Sequence, residues 1–215
     1  MWGSNEEKKE FAQLYPLFYG KQEERNYRKL YKKVNDLIGK QYAPALCTVG
    51  IMYSTEGYGV HRDFKEAFRM FMESASQEYP SAECGVGNFY MMAFPKHNAC
   101  EYNETKATYW YTKAAEHGNP GAQYNLAFSY QKGRGVTRDP VAAYVWACLA
   151  IHCSKIRVRP AEVVRDQTIQ ELNEKQLAEA QNRIKHMQEI LPYEWSEHMV
   201  YWKSLARQYQ VIDRL

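Results

Sequence analysis

An internal repeat constrains this chain of 215 residues more than any other feature. The segment Ala45-Leu-Cys-Thr-Val-Gly-Ile-Met-Tyr53 lies over Ala82-Glu-Cys-Gly-Val-Gly-Asn-Phe-Tyr90 and over Ala122-Gln-Tyr-Asn-Leu-Ala-Phe-Ser-Tyr130, with offsets of 37 and 40 residues. A second block follows each: Asp63-Phe-Lys-Glu-Ala67-Phe-Arg-Met-Phe71, Asn103-Glu-Thr-Lys-Ala107-Thr-Tyr-Trp-Tyr111 and Asp139-Pro-Val-Ala-Ala143-Tyr-Val-Trp-Ala147. Within the blocks apolar residues recur every three or four positions, as in Ala67, Phe71 and Ala75, the period of an amphipathic helix. The spacing predicts first helices at about 43–54, 80–92 and 120–132, and second helices at about 63–77, 103–117 and 139–153. One such pair cannot bury its apolar stripe alone, whereas stacked pairs bury a continuous core and leave curved faces. The expected fold is all-α, an α-solenoid of antiparallel helix pairs.

The joins agree with the blocks. Glu56-Gly-Tyr-Gly-Val-His-Arg-Asp63 corresponds to Lys132-Gly-Arg-Gly-Val-Thr-Arg-Asp139, with glycines suited to a tight turn and an Asp suited to cap the next helix. The middle repeat departs from this, because Ala93-Phe-Pro-Lys-His-Asn-Ala-Cys-Glu-Tyr102 replaces the glycine turn. Upstream, Asn26, Leu30, Val34, Ile38 and Tyr42 match Asp63, Ala67, Phe71, Ala75 and Tyr79 at the same offset of 37, which predicts a degenerate N-terminal unit. The division expected is a solenoid over 5–159 (unit 5–42, repeats 43–79, 80–118 and 119–153) and capping helices over 160–215. In that last part Lys155–Pro160 reads as a basic connector, and Asn173 as the N-cap of a helix bearing Leu172, Leu177, Ala180, Ile184, Met187 and Leu191 on one side. A final helix over 193–212, with Trp195, Met199, Trp202 and Leu205 at helical spacing, is expected to close the end of the stack.

Composition narrows the function. A formal net charge of +3, with basic and acidic residues interleaved, supplies no concentrated field for a nucleic acid. No stretch approaches the roughly 20 apolar residues that span a bilayer. Met1-Trp2-Gly3-Ser4 reads as an appended segment, so the expected compartment is periplasmic if an export signal once preceded it and cytoplasmic otherwise. Cys47, Cys84, Cys100, Cys148 and Cys153 follow no metal-ligand spacing and are expected as reduced thiols. Cys148 and Cys153, five apart on a helix, do not share a face.

Chemistry is sparse. His61 sits in a repeat turn beside the cap Asp63, and His97, Cys100 and Glu101 share the irregular loop without a second ligand cluster, so neither a hydrolase site nor a zinc site is expected. Gly85-Val-Gly87 lies in a helix and lacks the strand of a nucleotide-binding fingerprint, and the sequon Asn103-Glu-Thr105 is set aside. No cofactor, metal or small-molecule substrate is expected.

The run Ala107-Thr-Tyr-Trp-Tyr-Thr-Lys-Ala-Ala-Glu-His-Gly118, continued by Gly118-Asn-Pro-Gly-Ala-Gln-Tyr-Asn-Leu-Ala-Phe-Ser-Tyr-Gln-Lys-Gly-Arg-Gly-Val-Thr-Arg-Asp139, resembles the Sel-1-like repeat, a relative of the tetratricopeptide repeat. The resemblance covers roughly 22–153 and implies a right-handed solenoid that holds protein partners without catalysis. Ala143-Tyr-Val-Trp-Ala and Asn173-Glu-Lys-Gln-Leu-Ala-Glu-Ala-Gln181 look like the closing unit of bacterial members. Small bacterial members look like immunity proteins that neutralise a secreted antibacterial effector, and that is the sharpest expectation. The alternative is a regulator or assembly factor in a cell-envelope or signalling complex, docking through helices after 160.

In the related tetratricopeptide arrangement the first helix of each pair lines the concave face. That implies internal packing for Val49, Gly50, Tyr53, Val86, Gly87, Tyr90, Leu126, Ala127 and Tyr130. It leaves Cys47, Ile51, Ser54, Cys84, Asn88, Met91, Tyr124, Phe128 and Gln131 as partner-binding positions, with Phe94, His97 and Tyr102 of the irregular loop as a second surface.

Overall fold

The computed structural model describes residues 2–22, 25–92, 99–154 and 159–191, together with Lys203 and residues 205–209. Among these there is no strand; the chain runs as α1 (Asn5–Gln13), α2 (Tyr15–Tyr19), α3 (Tyr27–Gly39), α4 (Ala43–Ser54), α5 (Phe64–Ala75), α6 (Pro80–Met92), α7 (Glu104–Glu116), α8 (Pro120–Lys132), α9 (Pro140–Cys153), α10 (Arg159–Thr168) and α11 (Glu174–Ile190). α4, α6 and α8 are the first helices and α5, α7 and α9 the second, each pair packed together and each second helix packed on the next first helix or its closing cap. The α-solenoid expected from the repeat is therefore present.

Each second helix begins where the sequence offers a cap. The side chains of Asn26, Asp63, Asn103 and Asp139 accept hydrogen bonds from amides in the first turns of α3, α5, α7 and α9. Each cap residue's own amide then donates to the end of the preceding helix: Asp63 to Tyr53 O at 2.9 Å, Asn103 to Tyr90 O at 3.0 Å and Asp139 to Tyr130 O at 3.1 Å. Asn26 makes the same bond to Leu17 O at 3.0 Å, which identifies α1 and α2 as a first helix in two pieces. The break has a cause, since Pro16 lacks an amide and its ring crowds the carbonyl four residues back.

The turns also pin successive pairs together. Gly135 has φ +68, and a Cβ there would lie 2.2 Å from the Glu104 carbonyl oxygen at the start of α7. Gly59 (φ +77) approaches Tyr27 and Arg28 at the start of α3 in the same way. The two glycine turns thus rest on the second helix of the previous pair.

The C-terminal region both follows and departs from expectation. Asn173 caps α11 in a reciprocal capping box with Gln176, and Leu177, Ala180, Ile184 and Met187 pack on the core that α9 shares. α10 begins at Arg159, inside the segment expected as a connector; its Ala161, Val164 and Thr168 are buried, and it lies on α8 and α9. The described part of the expected last helix packs elsewhere. Leu205, 2% exposed, and Ala206 belong to the buried cluster of α1 to α6, and the Tyr209 hydroxyl donates to Asn5 O at 3.2 Å. The described part of the final helix therefore closes on the N-terminal unit; Trp195, Met199 and Trp202 lie outside the described residues. At the other terminus the Trp2 indole donates to Gln77 O at 2.8 Å and sits edge-on to Tyr79, so the segment read as appended takes part in the packing.

One charge is buried between repeats. Glu83 of α6 is 0% exposed; its Oε2 lies 2.8 Å from His117 Nδ1, and its Oε1 lies 3.8 Å from Lys113 Nζ without a hydrogen bond. The next repeat places Gln123 at this position, whose amide donates to Ala115 O. The His117 pKa is raised, first by its bond to Glu83, with the charge of Glu83 and Glu78 adding, and burial and Lys113 opposing.

Two predictions follow from this packing. Gly135→Ala meets both a left-handed backbone and a carbonyl, and should destabilise by about 3 kcal/mol or more, whereas Gly57→Ala, with φ +91 and open space around it, should cost only about 1 kcal/mol; urea melts of the two variants give the comparison. The stabilisation from His117 is complete below its ordinary pKa of about 6.5 and is lost as pH rises through the raised value. The denaturation midpoint should therefore fall from about pH 6 to about pH 8, and the fall should shrink in Glu83→Gln, which copies the neighbouring repeat.

Candidate binding groove

The first helices α4, α6 and α8 present a row of half-buried side chains. Ile51 and Ser54 lie on α4, Cys84, Asn88 and Met91 on α6, and Tyr124 and Phe128 on α8. Behind them Val49, Gly50, Val86, Gly87, Leu126 and Ala127 are buried, and Tyr53, Tyr90 and Tyr130 are half-buried. Gly87 has a specific reason to be small: a Cβ there would stand 2.5 Å from the Tyr111 ring. Close approach lets Tyr111 reach across α6 and donate from its hydroxyl to Asn88 Oδ1 at 2.9 Å, and Asn125 Nδ2 donates to the same oxygen at 3.1 Å. Asn88 thereby links two repeats, and burial pushes the Tyr111 pKa up.

Two expected positions are not open. Cys47 is wholly buried, because the N-terminal unit covers that end of α4 and places the thiol in one cluster with Tyr15 and Phe18. Gln131, 7% exposed, donates to Gln167 Oε1 at 2.9 Å and is covered by α10. Of the irregular loop, Tyr102 is exposed and its hydroxyl donates to Glu104, while Phe94 and His97 lie outside the described residues. Cys100 is half-buried, Glu101 exposed, and His61 an exposed turn residue.

Between α4, α5 and α6 the row opens into a recess of about 220 Å³, lined by Ser54, Phe64, Phe71, Gly85, Asn88, Phe89 and Met92. Met92 at its edge is 64% exposed. The sequence carried a signal for this recess that the groove assignment did not use: position 88 is Asn where the next repeat has Phe128, and position 54 is Ser where the next has Met91. Smaller residues at both places leave space.

Cations flank the aromatic rings of the row. The Arg62 guanidinium lies 5.2 Å from the Phe64 ring centre, and Phe128 has Lys132 at 5.9 Å and Arg134 at 5.6 Å. Arg62 also pairs with Glu56 at 3.0 Å and Arg134 with Glu104 at 3.8 Å, while Lys132 has no carboxylate partner among the described residues. The Cys84 thiol and the Tyr53 hydroxyl are both pushed toward their neutral forms. Burial pushes the Cys84 pKa up to about 12, with the Glu83 charge adding, and burial together with the Tyr31 hydroxyl pushes Tyr53 up to about 12. A thiol so far from its thiolate is a poor nucleophile and a poor metal ligand. The arrangement offers apolar contact, cations and amide groups, which are means of holding a chain.

The Sel1 repeat model matches residues 43–79, 80–119 and 120–154, just over half of the chain. Among curated proteins, chitin synthase regulatory factor 3 of Schizosaccharomyces pombe is 31% identical over 105 residues, covering 49% of this chain and 11% of that protein. Chitin synthase regulator SKT5 of Saccharomyces cerevisiae is 26% identical over 105 residues, 49% of this chain and 15% of that protein. The chain thus spans less than a sixth of the length of either. Two solved structures share the fold. One is c5321, a protective antigen present in uropathogenic Escherichia coli strains displaying an SLR fold, with a TM-score of 0.66, 23% identity, and coverage of 97% of this chain and 40% of that one. The other is a Sel1 repeat protein from Oxalobacter formigenes, with a TM-score of 0.54, 26% identity, and coverage of 63% and 97%. Proteins built of this repeat are generally protein-interaction scaffolds, and among the described residues no helix is long and apolar enough to cross a membrane. With three matched repeats stacked as helix pairs, the chain belongs to the Sel1 repeat family.

Proposed function

We propose that this chain is a non-catalytic adaptor that captures another protein in the groove of its first helices. The observation that carries the reading is the row Ile51, Ser54, Asn88, Met91, Tyr124 and Phe128, half-buried side chains in register on three helices with an apolar recess among them. Mixed aromatic, thioether and amide groups on a rigid scaffold suit a partner surface, since Met and aromatic side chains gain most when a partner buries them.

Two finer roles fit this surface. The resemblance to small bacterial repeat proteins supports immunity toward a secreted antibacterial effector. The two curated relatives, named as regulators, support the alternative of a regulatory subunit in an envelope or signalling complex. For that alternative the docking element is not the described part of the last helix, whose Leu205 and Ala206 are already buried against the N-terminal unit.

Affinity capture from the native organism, with the wild-type chain compared against Met91→Lys and Phe128→Glu, tests the reading. A protein retained by the wild type and lost from both variants, with their thermal melts unchanged, is the expected result. Retention by both variants overturns the groove assignment. If the retained protein is an effector whose toxicity co-expression suppresses, the immunity role stands; capture of an enzyme complex without toxicity favours the regulatory role.

A further inference from the structure

Resting on the groove reading above, we propose that the groove takes an extended acidic peptide segment of its partner, with one apolar or aromatic side chain seated in the recess between α4 and α6 and carboxylates against the cations around Phe128. The recess is shaped by a difference between repeats. Asn88 occupies the position that Phe128 fills in the following repeat, and Ser54 the position of Met91. The wall behind is aromatic, from Phe64, Phe71 and Phe89, so the space left by the missing side chains is apolar and of side-chain size. An apolar residue of a partner completes it as the repeat's own residues do one unit later.

At its mouth the Asn88 amide is polarised for one role. Its oxygen accepts from both Tyr111 and Asn125, which leaves the NH₂ end as a donor to a peptide carbonyl. Charge sets the rest of the chemistry. Lys132 and Arg134 lie over the Phe128 ring, Arg62 lies over Phe64 on the recess wall, and Lys132 has no carboxylate partner among the described residues. Glu56 and Glu104 are already paired with Arg62 and Arg134. A cation held over an aromatic face is positioned rather than free, so a carboxylate arriving there meets a pre-ordered charge.

Selection of random linear peptides displayed on phage against the full chain tests this. The expected outcome is enrichment of sequences that combine an aromatic, Leu or Met residue with Asp or Glu. Synthetic peptides from that set should bind about tenfold more weakly to Ser54→Met and to Asn88→Phe, which copy the next repeat and fill the recess, and to a Lys132→Glu, Arg134→Glu double variant. Ser54→Met leaves the Asn88 network intact, so a loss there is not a folding defect. Basic or chargeless winners, absence of any enriched motif, or unchanged binding to Ser54→Met each overturns the proposal. None of those results touches the broader groove reading, which falls only if a captured protein ignores Met91→Lys and Phe128→Glu.

Discussion

The rest of the molecule depends on one backbone hydrogen bond made four times. In each unit the amide of the residue that caps the second helix donates to a carbonyl in the last turn of the first: Asn26 to Leu17, Asp63 to Tyr53, Asn103 to Tyr90, Asp139 to Tyr130. The bond satisfies an acceptor that the end of a helix would otherwise leave open, and it fixes the angle at which the chain turns back. Intervening lengths differ, and in the second repeat the glycine turn is replaced altogether, yet the bond persists at 3.0 Å. The closing geometry is thus set by the two ends of the connection, and the loop between is free to vary in sequence. With the pair angle fixed, close contacts at Gly59 and Gly135 fix the stacking of one pair on the next, and the row of first helices becomes a groove.

What could be read in the sequence was what repeats. The limits of α4, α6 and α8, the four caps and the apolar stripe of α11 all follow from period and cap chemistry, because those are local properties. Packing between distant parts was not legible. The spacing of Leu205 announces a helix with an apolar face, but a stripe of that kind fits any apolar surface, and the N-terminal unit offered one in place of the C-terminal end. Cys47 misled for a related reason: its repeat position faces the row of first helices, while the irregular N-terminal unit at its side covers it. α10 was hidden by its brevity and by the basic residues and Pro160 at its start, with only Ala161, Val164 and Thr168 to mark its inner face. In the candidate site, the groove positions were named from repeat register, whereas the recess and the Asn88 hub came into view only when helix spacing was known.

The departures from regularity carry most of the individuality of this chain. Glu83 stands where Gln123 does in the next repeat, and the exchange converts a neutral amide on a carbonyl into a buried carboxylate leaning on His117 and Lys113. A buried ion pair is expensive to assemble and worth little net stability, but removing one partner leaves a stranded charge, so the pair ties α6 to the end of α7 more through the penalty for error than through attraction. Its dependence on a protonated imidazole makes that junction lose stabilisation as pH rises above about 6.5.

The same logic of substitution within a frame shapes the recess between α4 and α6. A solenoid whose repeats were identical would present a uniform groove, with every hole filled by the same side chain from its own helix. Here Asn88 and Ser54 withhold the bulk that Phe128 and Met91 supply one repeat later, while the oxygen of Asn88 is engaged by Tyr111 and Asn125 so that the smaller residue costs no unsatisfied acceptor. The scaffold keeps its rigidity, because Gly87 still admits Tyr111 and the backbone bonds are untouched. An opening made this way is pre-formed: neither α4 nor α6 must move to admit a side chain, and a partner pays only for ordering itself. In the proposed complex, selectivity would come from the ring cations around Phe128, one repeat away, which reward a partner of matching charge.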